Sequence, residues 1–178
     1  MAELINTPQV KMGLVAVSRD CFPIELARKR LGKVIEACAA QKVEVTPCEV
    51  VIESEKDALA AVEEMRKQGV NAVTIYLGNF GPEGPTTIFA RELGVPFMLC
   101  GAAEETAEDL IDGRGDAFCG MLNASLNAVL RKLRAYIPPM PIGLPEEIAE
   151  KIARFTDVAR VVVGLKDLKV FSFGPRPQ

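Results

Sequence analysis

The stretch KMGLVAVS, Lys11 to Ser18, is a short and nearly continuous apolar run. A strand with one wet face alternates apolar and polar residues, so this run predicts a strand covered on both faces. Loop residues Arg19 to Pro23 follow. Ile24 to Ala40 then carries Leu26, Ala27, Leu31, Val34, Ile35 and Cys38 at spacings of three and four, which places them on one helical face. The opening unit is therefore a strand followed by a helix.

The alternation continues along the chain. Val43 to Thr46 reads as a short strand, and Ser54 caps a helix that runs to about Lys67, with Asp57 three residues on and Gly69 beyond its end. Ala72 to Leu77 is a third strand, Pro85 to Leu93 a short helix ended by Gly94, and Pro96 to Cys100 a fourth strand. Thr106 to Ile111 is read as helical and Asp112 to Asp116 as a turn. From Ala117 to Tyr136 a long helix is predicted to turn Phe118, Met121, Leu122, Leu126, Val129, Leu130 and Leu133 inward. The proline-rich segment IPPMPIGLP is read as a connector. Pro145 opens a helix reaching about Val163, with a break expected at Thr156, and Leu168 to Phe173 is read as a final strand.

Strands and helices alternating at this spacing predict a flavodoxin-like (Rossmann-like) three-layer α/β/α fold with a mostly parallel sheet. Residues 1–165 would form this domain. Residues 166–178, a strand and the turn FGPRPQ, would open a second domain cut short by the end of the chain.

Composition narrows the function. A chain of 178 residues, 49% hydrophobic, supports one buried core, and a formal charge of -3 with only 6% aromatic residues argues against a nucleic-acid surface. The five cysteines form no Cys-x-x-Cys pair, so they read as buried or inert thiols in a reducing compartment. The N-terminus lacks a basic region ahead of a long apolar one, and no apolar run reaches the roughly 18 residues of a membrane helix, so a cytoplasmic location is expected. There is no histidine. That excludes a Ser-His-Asp or Cys-His arrangement and any imidazole metal site built from this chain alone.

In open α/β sheets ligands gather beyond the carboxyl ends of the strands, where three loops compete: SRDCF, LGNFGPEGP and CGAAEE. No glycine fingerprint opens the first helix, and no phosphate-binding lysine motif is present. LGNFGPEGP, residues 77–85, supports two readings. One is a rigid turn shaped by glycine and proline. The other has Asn79 and Glu83 offering amide and carboxylate groups to hydroxyls, with Phe80 as an apolar platform. The second suits a sugar better than a phosphate, because Glu83 repels anions. Arg19 and Asp20 are either a mutually paired turn or ligand contacts. Glu104 and Glu105 could serve as acid, base or hard-metal ligands, or as solvent-facing and capping groups. Asn123 and Asn127 read as a polar helix face, and DGRGD as a turn or a subunit contact.

LGNFGPEGP, then PFMLCGAAEE, IDGRGDAFCGMLN, the proline connector and LKVFSFGPRPQ, together resemble the N-terminal region of the L-fucose/L-arabinose isomerase-like family of sugar isomerases, from about Lys11 to Gln178. The resemblance implies part of an aldose-ketose isomerase, an intramolecular oxidoreductase of carbohydrate metabolism. Family members are longer, assemble as trimers or hexamers, and use a divalent metal, usually Mn2+, held by a glutamate, an aspartate and a histidine in later domains. This chain would hold no metal and no catalytic residue, and would be inactive alone. Its N-terminal domain would cap a neighbouring subunit's sugar site, with Arg19, Asn79, Phe80 and Glu83 as substrate contacts. The alternative is a stand-alone flavodoxin-like module that binds a small ligand or joins subunits.

Overall fold

The computed structural model describes residues 7–105, 114–166 and 168–174. Its spine is three strands, β1 (Met12–Val17), β3 (Ala72–Leu77) and β4 (Phe97–Ala102), every residue of which is buried. Burial on both faces is what the unalternating apolar runs require. β1 pairs in parallel with β3 from Met12↔Ala72 to Val17↔Leu77, and β3 with β4 from Val73↔Phe97 to Leu77↔Gly101. The edge strands are short. β2 (Thr46–Pro47) pairs with β1, and with β5 (Ala135–Tyr136) at the far edge the strand order β2-β1-β3-β4-β5 is the flavodoxin order expected.

The helices complete three layers. α1 (Ile24–Ala40) packs against α5 (Pro145–Lys166), while α2 (Glu55–Lys67) packs against α3 (Glu83–Leu93), which also meets α4 (Ala117–Leu130). α2 begins with the capping box foreseen: Ser54 accepts from the Asp57 backbone N–H, and Asp57 accepts from the Ser54 backbone. α3 ends at Gly94 in the left-handed conformation.

Several expectations are corrected. The second strand is Thr46–Pro47 rather than Val43 to Thr46. Pro47 has no N–H for a ladder, and pairing continues only as scattered contacts, Cys48 N to Leu14 O, Ile52 N to Ala16 O and Ser18 N to Ile52 O. The proline connector contains sheet: β5 (Ala135–Tyr136) pairs with the start of β4 and β6 (Ile142–Gly143) with its end. Together they make one edge strand split by Pro138, Pro139 and Pro141. α5 runs through Thr156, whose hydroxyl donates to the Ile152 carbonyl at 2.9 Å and so stays satisfied inside the helix. Leu168 to Phe173 form no strand and are exposed, having no partner strand among the described residues. The helix expected at Thr106 to Ile111, and residues 112 and 113 of the turn after it, lie outside the described residues.

The largest correction concerns α4. It stops at Leu130, and Phe118, Leu122, Leu126, Val129 and Leu130 point outward, between 56% and 70% exposed. The face on the sheet is Ala117, Gly120, Met121, Ala124 and Ala128. Small residues let the helix approach closely: a Cβ on Gly120 would stand 1.9 Å from the carbonyl oxygen of Phe80. A side chain at position 120 could not be accommodated without lifting the helix from the loop.

Candidate functional site

The carboxyl ends of β1 and β3 bring two loops together, Ser18 to Pro23 and Gly78 to Pro82. Their organiser is Asn79, which is fully buried. Its Oδ1 accepts from the backbone N–H of Arg19 at 2.9 Å and of Gly81 at 3.2 Å. Its Nδ2 donates to Ser18 Oγ at 2.9 Å and to the Pro23 carbonyl at 3.4 Å. Ser18 in turn donates to Glu53 at 2.8 Å, which ties in the segment after β2. Of the glycines in LGNFGPEGP only Gly81 has a positive φ, 72°, and a Cβ there would meet Val17 at 2.8 Å.

On this base sits a partly exposed cluster. The Arg19 guanidinium lies 5.0 Å from the centroid of the Phe80 ring and pairs with Glu83 at 2.8 Å. Phe22 stacks on Phe80 with ring centroids 5.8 Å apart. Asn123, from α4, donates to the same oxygen of Glu83 as Arg19 does. Burial pushes the Glu83 carboxyl up, but its own backbone N–H, Arg19 and Asn123 more than offset this and hold it below the ordinary carboxylate range. Glu83 is also in the first turn of α3, where the helix dipole favours negative charge.

The structure thus brings Arg19, Phe80 and Glu83 into one group and places Asn79 beneath them, its polar atoms all engaged with protein. Arg19 pairs with Glu83 rather than with the adjacent Asp20. Three members are not evident from the sequence: Phe22, Ser18 and Asn123. Asn123 and Asn127, one turn apart on a helix with no charged residue, were the legible signal for the last.

The glutamates after β4 are committed elsewhere. Arg30, buried on α1, donates to the Gly78 carbonyl at 2.9 Å and pairs with Glu104. Glu104 also accepts from the backbone N–H groups of Gly115 at 3.2 Å and Asp116 at 3.0 Å. Glu105 pairs with Lys33 at 2.6 Å. These carboxylates hold the loops at the sheet end in place. Among the described residues no group of three or more Cys, Asp or Glu side chains stands close enough to hold a metal ion. No helix among them is long and apolar enough to cross a membrane. The thiols divide by burial: Cys38, Cys48 and Cys100 are buried, which pushes them up to about 11, 12 and 12, while Cys21 and Cys119 are exposed.

Fold and site together define a flavodoxin-like domain with an arginine, aromatic and carboxylate rim at the carboxyl ends of its strands. A family model described as fucose/sulfoquinovose isomerase, N-terminal domain, matches residues 13–166, and the chain belongs to that family. Comparison with curated proteins returned no match.

Proposed function

We propose that this domain caps the sugar site of an aldose-ketose isomerase and takes part in its assembly, with the sugar held largely by residues of a neighbouring subunit. The observation that carries the reading is the Arg19, Phe80 and Glu83 group, partly exposed where a doubly wound sheet presents ligands. An arginine already paired with a carboxylate is close to neutral, so the pair offers donors and acceptors to hydroxyls without attracting a bare anion. The rings of Phe80 and Phe22 add an apolar surface for the C–H face of a sugar. Asn79 supports this rim by fixing the backbone of Arg19 and Gly81.

The Mn2+ or other divalent metal that the resemblance implies does not fit the described residues: no cluster of three acidic or thiol ligands exists, and the chain has no histidine. In this reading its ligands come from other domains, and the 178-residue chain does not isomerise sugar alone. The role left to this chain is to orient sugar hydroxyls and exclude water from above.

The test is Arg19→Ala in the isomerase that carries this domain. Loss of one charge-assisted hydrogen bond at the rim lowers kcat/KM by about 10- to 100-fold. The melting temperature stays near that of the parent, because Arg19 is partly exposed. Unchanged kinetics, or metal-dependent isomerisation by the 178-residue chain alone, would overturn the reading.

A further inference from the structure

The two sides of α4 differ in size in the opposite sense to a helix made for solvent. Three alanines, Gly120 and a single large side chain, Met121, face the sheet, while Phe118, Leu122, Leu126, Val129 and Leu130 face outward. With 3.6 residues per turn, these five fall within an arc of about 120°, so they form one stripe along the helix. No Asp, Glu, Lys or Arg occurs in the sequence of α4, AFCGMLNASLNAVL. A solvent face ordinarily carries charge, and this one carries most of the large apolar residues of its helix instead.

We propose that the stripe is a two-fold interface, at which α4 of one copy packs antiparallel against α4 of a second copy of this chain. A single apolar stripe is complementary to itself about a two-fold axis: Leu122 of one copy falls opposite Leu126 of the other, and Phe118 opposite Leu130. Because the helix is uncharged, meeting its own copy brings no like charges together along the seam. The area is also sufficient. Side chains of this size, more than half exposed, leave roughly 500 Å² on each copy, so complete pairing removes up to roughly 1,000 Å² from water, the lower bound of specific interfaces.

This inference deepens the assembly role proposed above and rests on it. The same helix carries Asn123, which bonds Glu83, so pairing two copies of α4 fixes the position of one rim relative to the other copy. The experiment reads self-association and not turnover, so its failure is separable from failure of the sugar reading.

The 178-residue chain is sedimented from about 1 to about 100 µM, beside L122E and L126K. The wild-type chain is dimeric in the upper part of that range. Each variant associates more than about 30-fold more weakly, with an unchanged circular dichroism spectrum, since both positions are exposed. An equal mixture of the two variants regains the dimer, because the new carboxylate and ammonium face one another across the axis. Thiol labelling at Cys119, exposed in the single chain, is slower in the wild-type dimer than in L122E. A wild-type chain that is monomeric throughout overturns the proposal, as do variants that remain dimeric. Monomeric parents that form no mixed dimer overturn the antiparallel pairing.

Discussion

Asn79→Ala tests how the site is built. The amide is buried without exposure and makes four hydrogen bonds, of 2.9, 2.9, 3.2 and 3.4 Å, that join two loops, and Ser18 extends the network to Glu53 after β2. Alanine leaves the backbone N–H groups of Arg19 and Gly81 without an acceptor where water has poor access. Stranding a buried donor costs about 1–3 kcal/mol, and the loss of Ser18's partner adds to it, while the longest bond contributes least. The total is about 3–4 kcal/mol, a large part of the roughly 5–15 kcal/mol that holds a domain folded. Urea unfolding followed by circular dichroism reads this as a lower midpoint at constant slope. Phe80→Ala is the control: its side chain is partly exposed, so about 1 kcal/mol is expected from the weakened stacking and cation–π contacts. If Asn79→Ala costs less than about 1 kcal/mol, the amide is not the organiser of these loops, and its role beneath the rim must be reconsidered.

Gly120→Ala should destabilise the domain by about 3 kcal/mol, because the added Cβ meets the Phe80 carbonyl oxygen at 1.9 Å and its carbon at 2.6 Å, backbone atoms that cannot rotate aside. An unchanged thermal midpoint would refute the close approach of α4 to that loop. The Glu83 carboxyl is held low in the folded chain, so the stability it contributes is complete above the ordinary glutamate value of about 4.3 and disappears as pH falls through the lower folded value. Unfolding of the parent and of Glu83→Gln, compared from neutral to strongly acidic pH, should therefore show a difference at neutral pH that closes in acid. A gap that widens on acidification would reverse the assigned direction.

How far the sequence could be read depended on whether the signal was local. β3 and α1 occupy the residues that their patterns marked, because an unbroken apolar run or a three-and-four spacing reflects burial that nearly any packing partner satisfies. The Ser54 cap was legible for the same reason, since it is closed by residues three positions apart. Thr46–Pro47, β5 and β6 were not: each is two residues long and exists only because a neighbouring strand offers a ladder. The rim shows the same division. LGNFGPEGP stood out by composition, yet its contact with Phe22 and Asn123 depends on residues far away in the chain. Asn79 and Phe80 are adjacent in sequence but sit on opposite levels of the site, one beneath the loop and one at its surface.

The sequence by itself determined a parallel α/β domain, its central strands and the loops that meet at their carboxyl ends, because alternation of apolar periods is a property of each segment alone. Only the tertiary structure decided which side of α4 is buried. That helix is apolar nearly all round, so periodicity names two candidate faces. The choice fell to the close approach of Gly120 to the Phe80 backbone, which admits the small face and leaves the large one outside.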